Sequence, residues 1–217
     1  MIPIIVVRYK QPVIEARCLA AVEQHTAHDL AYVCEVDNAP HNHSLSKVWN
    51  DCIFAHASAL KWVVLLNSDC FVTPGWLSEL LAVGNTSSKI AAVGPMTDHC
   101  GSRQKVPAGY DPSPYKATAA LHHHLSGFCL LLRVDAWREA GGFDLAAPLY
   151  GQESALIEKC WHLGWETAIA PGVWVEHLGG ASMKAAQQNG ELDWEAEKKM
   201  GGEWILRYVH DLRKGKA

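Results

Sequence analysis

The sequence has no apolar run approaching the roughly 18 to 20 residues that a bilayer-spanning helix needs. Its apolar opening, Met1 to Val7, is short and carries neither a basic leader nor a small-residue cleavage site, so no membrane span or secretory signal is expected. The seven cysteines, at 18, 34, 52, 70, 100, 129 and 160, are odd in number and form no CxxC pair. That pattern is neither a disulfide framework nor a zinc site, and it points to a reducing, cytoplasmic compartment. Charge of one sign is scarce too: 19 Lys plus Arg stand against 23 Asp plus Glu, a net charge of -4. No basic face suited to gripping a polyanion stands out. The weak basic cluster Arg207, Arg213, Lys214 and Lys216 reads as a solvated helix end that suits the helix dipole. Walker-type, GxGxxG and GxSxG signals, internal repeats and low-complexity tracts are all absent.

What is present is core-forming material. Of 217 residues, 49% are hydrophobic and 19% charged, enough for one globular domain or two small halves sharing a core. The first hundred residues alternate short apolar runs with helical periodicity. Strands are expected at Ile2 to Val7, Leu30 to Val36, Trp62 to Leu66 and Ile90 to Val93. Between them, Pro12 to Gln24 has a helical apolar face. Ser44 can cap a helix with the stripe Leu45, Val48, Trp49, Cys52, Ile53 and Ala57, and Pro74-Gly75 opens a third helix with Pro74 in its first turn. This βαβα order predicts an α/β fold with a mainly parallel sheet and helices on both faces. Ligands in such sheets collect beyond the carboxyl ends of the strands. The polar groups there are Arg8-Tyr9, Asp37-Asn38 and Asn67-Ser68-Asp69, which should converge.

The second half is less regular. Residues 97 to 121, with prolines 107, 112 and 114 and glycines 101 and 109, read as a long loop of the kind that serves as a lid or is poorly ordered. Ser126 to Arg133 is a buried strand, and the short helix after it ends at Gly141-Gly142. Ser154 to Leu163 is helical up to Gly164, and Thr167 to Ala170 and Val173 to Glu176 are two short strands. The tail from Leu192 to Leu212 is an amphipathic helix interrupted near Gly201-Gly202.

The most informative element is Leu65-Leu66-Asn67-Ser68-Asp69. Two oxygen-bearing side chains two residues apart at a strand end can hold Mg2+ or Mn2+ against a diphosphate; the same residues also make an ordinary turn. His41-Asn42-His43 reads as a loop without the partners of a nuclease metal site. His122-His123-His124 either lines a ligand site or is a solvated loop. Trp76 and Trp137 fit helix cores, whereas Trp165 and Trp174 could stack on a sugar or simply be buried.

Four separate stretches, in order, resemble family 2 glycosyltransferases of GT-A fold, in particular the rhamnosyltransferase-like branch. Residues 67 to 77, NSDCFVTPGWL, resemble that family's Asp-x-Asp segment and following helix. Residues 126 to 133, SGFCLLLR, and 139 to 144, EAGGFD, resemble its "GxxxLxRR…xxGGFDE" stretch. Gln152-Glu153-Ser154-Ala155-Leu156 falls where the family has Glu-Asp-x-Asp-Leu. Gly164-Trp165, Ala170-Pro171 and His177 match its "GY…AP…xH" tail. The resemblance runs from Ile4 to about Ser182, which implies one catalytic domain over 1–182, with a nucleotide-binding half at 1–95 and an acceptor half at 96–182. Residues 183–217 then form a C-terminal helical extension.

The resemblance also implies roles. Arg8, Tyr9, Asp37, Asn38, Asn67 and Ser68 meet the nucleotide sugar, with Asp37-Asn38 otherwise a strand-end turn. Asp69 is the carboxylate nearest the Mn2+ or Mg2+ ion, and His177 reaches back to the metal or diphosphate, unless it is a structural histidine. Glu153 matches the base that takes the acceptor's proton, its alternative being a helix N-terminal acid stabilised by the dipole. The chain departs from the family at Asn67, Gln152 and Ala155, each standing where an acid is usual, and Glu153 is one methylene longer than the usual aspartate. The implied activity is inverting, metal-dependent transfer from a UDP-sugar, as first choice, to an acceptor hydroxyl. A saccharide or glycoconjugate acceptor is favoured, with a hydroxylated DNA base as another. A non-catalytic nucleotide-sugar or carbohydrate-binding module is the rival that the three lost acids suggest. Nucleotidyltransferases of the same fold usually carry a glycine-rich phosphate loop after the first strand, and Val7-Arg8-Tyr9-Lys10-Gln11 has no glycine.

Overall fold

Alternate residues of the first and third strands face opposite ways, and that period sets the layers. In the computed structural model, which describes residues 1–41, 43–56, 60–107, 109–121 and 123–215, the chain begins with β1 (Ile2–Arg8), α1 (Pro12–His25), β2 (Ala31–Asp37), α2 (Leu45–His56) and β3 (Trp62–Asn67). Asn42, Ala57, His122 and Lys216 lie outside the described residues. Next come β4 (Cys70–Phe71), α3 (Trp76–Gly84), β5 (Ile90–Met96), β6 (Ala120–Leu121), β7 (Cys129–Arg133) and α4 (Val134–Glu139). The remaining elements are α5 (Gln152–His162), β8 (Glu166–Trp174), β9 (Glu176–His177), α6 (Ala181–Gln188) and α7 (Trp194–Arg213). Ile4, Val6, Val64 and Leu66 pack with Cys18 and Val22 of α1 and Trp76, Leu77 and Leu80 of α3. Ile5, Val63 and Leu65 pack on the other face with Trp49 and Ile53 of α2, Trp137 of α4 and Leu156 of α5. The sheet is thus buried on both sides, as near-continuous apolar strands demand.

The central sheet has the order β2-β1-β3-β7-β5-β8-β6. β1 pairs in parallel with β2 and β3, and β5 with β8, while β7 and β6 run against their neighbours. The fold is therefore a mixed α/β sheet with most strands running one way, as the sequence predicts. A second ladder of two residues per strand joins β4 to β9.

Several local expectations change. Thr167 to Ala170 and Val173 to Glu176 are not two separate short strands: β8 runs continuously to Trp174, and a register shift opposite Pro95 and Met96 absorbs Pro171, Gly172 and Val173. Pro74 precedes α3, because Gly75, with φ of 79°, is its N-cap. Gly201-Gly202 does not interrupt α7; Gly201 is buried inside a continuous helix. The 97–121 segment is anchored rather than free. Buried Gln104 donates to the Pro95 carbonyl at 2.8 Å and accepts from the Ser126 amide at 2.7 Å, while Tyr110 donates to the Pro171 carbonyl at 2.8 Å. Ser44 does cap α2, accepting from the Lys47 amide at 3.3 Å.

Arg133, the last residue of β7, is a buried cation held by carbonyls. Its guanidinium donates to the carbonyls of Ile90, Gly84 and Ser87 at 2.6, 3.1 and 3.0 Å and lies 4.2 Å from the centre of the Trp62 ring. These acceptors include a carbonyl at the carboxyl end of α3, where a positive charge is favoured. Replacing Arg133 by Met keeps the apolar stem but strands three acceptors. The expected loss is about 2–3 kcal/mol of unfolding free energy, measured by urea titration.

Candidate active site

The ends of β1, β2 and β3 bring Arg8, Asp37 and Asn67 to one edge, since Arg8 pairs with Asp37 and Val7 with Asn67 across the sheet. Arg8 Nε lies 3.3 Å from Glu35 Oε2, without hydrogen-bond geometry. The chain beyond β1 is held by Glu15, a buried acid in the first turn of α1, which accepts from the amides of Tyr9 and Gln11 at 2.8 and 3.0 Å. Asp37 is exposed and accepts from the Ala39 amide at 3.0 Å through Oδ1. The buried Asn38 donates to the His43 carbonyl at 2.9 Å and accepts from the His43 amide at 3.0 Å. It thereby closes the loop on which His41 and His43 stack, with ring centres 5.5 Å apart. Asn67 ends β3, its amide donating to the Phe128 carbonyl at 2.8 Å, and Ser68 is buried in the turn that follows.

That turn delivers Asp69 to His177. The β4–β9 ladder pairs Cys70 with His177, and the Leu178 amide donates to the Asp69 carbonyl at 3.1 Å. Asp69 Oδ1 then lies 3.4 Å from His177 Nε2, and Oδ2 accepts from the Ala181 amide at 3.0 Å, in the first turn of α6. The imidazole is clamped. It stacks on Phe128 with centroids 5.0 Å apart, and its Nδ1 lies 2.6 Å from the His99 carbonyl oxygen. A carbonyl only accepts, so Nδ1 carries the proton there. Nε2 therefore faces the Asp69 carboxylate, buried and, among the described residues, with no hydrogen bond made. Two electron-rich atoms held face to face call for a positive species between them, either a proton or a metal cation. Histidine ligands of metals typically carry this kind of backing, with the second ring nitrogen bonded to a carbonyl. Burial pushes the Asp69 carboxyl up, but a proton on His177 Nε2, together with the Ala181 amide, outweighs it and holds the group below its usual range.

Cys70 completes the group of donor atoms within 4.8 Å of one another. Burial pushes its thiol well above the ordinary value, and its Sγ donates to the Phe128 carbonyl at 3.3 Å. It is a structural thiol, which leaves one carboxylate oxygen and one imidazole nitrogen as donors. A mixed oxygen and nitrogen set of this kind suits Mn2+, and less well the harder Mg2+.

Glu153 lies in the first turn of α5 behind Gly151, whose φ is 108°. Its carboxyl group packs against Gly127: a Cβ at that glycine would stand 3.3 Å from Glu153 Cδ. Burial raises its pKa, only partly offset by its own amide, the Gly127 amide and His124. A carboxyl raised toward neutrality is a better proton acceptor than an exposed one. Gln152 and Ala155 are buried beside it. His124 is already paired, Nε2 lying 2.9 Å from Glu158 Oε1 with its ring edge-on to Trp161. Trp165 and Trp174 both pack against the second core cluster.

Sequence reasoning missed the C-terminal strap. The α6–α7 segment comes back over the β1 end, where Glu191 accepts from Lys10 Nζ at 2.9 Å and lies 3.5 Å from the Tyr9 hydroxyl. Trp194 Nε1 donates to the Tyr150 hydroxyl. The glycines around His177 were the available signal. Gly179 and Gly180 have φ of 73° and 75°, and a Cβ at Gly179 would stand 2.0 Å from a carbon of the His99 ring.

Residues 4–191 match the sequence profile described as "Glycosyltransferase like family 2". No curated protein sequence matches the chain. Among solved structures, GalNAc-T7 with UDP, GalNAc and Mn2+ superimposes with a TM-score of 0.59 at 14% identity, covering 81% of this chain and 43% of that one. The mannosyltransferase PcManGT from Pyrobaculum calidifontis, in complex with GDP-Man and Mn2+, gives 0.57 at 14% identity over 96% of this chain and 72% of that one. The chain therefore spans less than half the length of the GalNAc-T7 chain, and at such identities the likeness is one of fold.

Glu153 separates a catalytic from a structural role through stability. Its folded pKa is raised, so ionisation opposes folding. The penalty is absent while both states are protonated, grows as pH rises past the unfolded value of about 4.3, and is complete above the folded value. Glu153→Gln should therefore melt higher than the native protein at pH 8, and the gain should vanish near pH 4. Thermal denaturation at the two pH values measures this; a helix-stabilising acid would give the opposite sign at pH 8.

Proposed function

Because the chain belongs to the glycosyltransferase-like family 2, we propose that it moves a sugar from a nucleoside diphosphate sugar, UDP-linked as first choice, to an acceptor hydroxyl with inversion. The observation that carries this reading is the clamped pair of Asp69 and His177, with a buried Nε2 facing a carboxylate that stays ionised. Asp69 and His177 would hold the Mn2+ or Mg2+ ion, and Asn67, two residues earlier, replaces one acid of the usual pair. When bound, the cation supplies positive charge to the diphosphate that departs.

The chain's own groups do the rest. Arg8, Tyr9, Asp37, Asn38 and Ser68 form the nucleotide side. Asp37 has one oxygen engaged with Ala39 and, among the described residues, none bonded to the other. Asn38 acts by shaping the 39–43 loop, since both groups of its amide are engaged with His43. Glu153 takes the proton of the acceptor hydroxyl as that oxygen attacks the anomeric carbon, on the face away from the diphosphate. The C1–oxygen bond to the diphosphate breaks as the new glycosidic bond forms, and the configuration inverts. In this reading residues 1–95 bind the nucleotide, 96–182 carry the base and acceptor side, and 183–217 form the extension. The acceptor is a hydroxyl-bearing saccharide or glycoconjugate. No helix among the described residues is long and apolar enough to cross a membrane.

Calorimetry with UDP and with GDP, each with and without Mn2+, tests the site first. Asp69→Ala should abolish the Mn2+-dependent part of nucleotide binding while the melting curve stays cooperative. Glu153→Gln should bind the nucleotide sugar as the native protein does but transfer it about 10²- to 10⁴-fold more slowly, as removal of a general base predicts. Binding that is indifferent to both EDTA and Asp69→Ala would overturn the metal assignment. Nucleotide-sugar binding without release of nucleotide to any acceptor would favour a binding module instead.

A further inference from the structure

Tyr150 lies three residues before Glu153, and its hydroxyl accepts from Trp194 Nε1–H. An indole N–H only donates, so the phenol oxygen serves as acceptor there and its own proton remains to be donated elsewhere. The strap fixes this pair from both ends. A Cβ at Gly201 would stand 2.5 Å from the Tyr150 carbonyl oxygen and 2.6 Å from its Cβ, so α7 lies directly on the residue. A Cβ at Gly180 would stand 3.1 Å from Trp194 Cζ2, and the next residue, Ala181, donates its amide to Asp69 Oδ2. Packed contacts therefore run without a break from Asp69 through Ala181, Gly180, Trp194 and Tyr150 to the turn that carries Glu153. Burial raises the phenol's pKa, Trp194 opposes this, and the charges of Glu153, Glu195 and Asp69 raise it further, so Tyr150 lies within the field of both site carboxylates.

In the displacement proposed above, the diphosphate lies on the Asp69 side and the acceptor hydroxyl on the Glu153 side. What must occupy the space between them is the sugar being transferred. Resting on that reading, we infer that Tyr150, latched by Trp194 of the C-terminal strap, lines the transferred-sugar subsite and donates its hydroxyl proton to an oxygen of the sugar ring's substituents. Tyr150 is thus a determinant of donor-sugar affinity, and Trp194 is the positioning residue that orients it. The base and ribose of the nucleotide are bound elsewhere, at the β1 and β2 ends, and should not sense the loss of the Tyr150 hydroxyl.

The test is calorimetry in the presence of Mn2+, with UDP, GDP, UDP-glucose, UDP-N-acetylgalactosamine and GDP-mannose as probes. The quantity read is the sugar increment, the Kd of a nucleotide divided by that of its nucleotide sugar. Tyr150→Phe removes one oxygen and should cut the increment about tenfold for the preferred donor, while leaving the parent nucleotide's Kd within about twofold. Trp194→Phe keeps a ring in place but lacks the N–H, and should cut the increment in the same direction. It should also speed amide hydrogen exchange at Ala181, because the latch no longer holds the start of α6. An unchanged increment in both variants, with native nucleotide affinity, overturns the inference while leaving the transferase reading intact. Failure of the native protein to bind any of the five probes overturns both.

Discussion

The pairing of Asp69 with His177 depends on a ladder of two residues per strand, Cys70 with His177 and Phe71 with Glu176, and the rest of the site is referred to it. Residues more than a hundred apart in sequence meet there because β3 turns at once into β4 and β8 turns at once into β9. So short a ladder would not hold by its own hydrogen bonds. It is braced by Cys70 on the Phe128 carbonyl, by Phe128 against the imidazole, and by Arg17, which lies 3.6 Å from the centre of the Phe71 ring and 2.8 Å from Glu176. These contacts fix the imidazole before any ligand arrives, and preorganisation of this kind makes a charged site effective.

The two carboxylates proposed for the site are tuned in opposite directions by one variable, the neighbours that accompany burial. Asp69 is buried beside an imidazole and an amide donor and is held toward the ionised form; Glu153 is half-buried, its carboxyl packed against a glycine, and is driven toward the neutral acid. Such a split between two acids is how an acidic site can divide its work between holding charge and moving a proton. Glycine makes the second case possible. Any side chain at Gly127 would press on the carboxyl group.

Much of the fold was legible from period alone, because strands buried on both faces and helices with one apolar stripe leave strong signatures at β1, β3, α1 and α2. Four ordered stretches of resemblance singled out Asp69, Glu153 and His177 as candidates, and the structure brings Asp69 and His177 together. What the sequence concealed was longer in range. Nothing in Cys70-Phe71 marks a strand, since two residues have no period, and Pro171-Gly172 looks like a break until a bulge absorbs it. Gly201-Gly202 looked like an interruption because glycine is a poor helix former. The reason for glycine at 201 is the backbone of Tyr150, fifty-one residues away in the chain, which local pattern does not reveal.

The place of β7 in the sheet bears on how the chain assembles. It lies at the centre, between β3 and β5, yet it is made after both, and among the described strands it alone joins β1, β2 and β3 to β5, β8 and β6. During synthesis the first three strands can pair by residue 67, but β3 then presents an open edge reading Trp-Val-Val-Leu-Leu until residue 133 has emerged. An apolar edge left open for that interval invites pairing with other chains. The late insertion of a single antiparallel strand closes it. A lesion in β7 should therefore be felt first as lost yield of folded chain, before any effect on the chemistry at the strand ends.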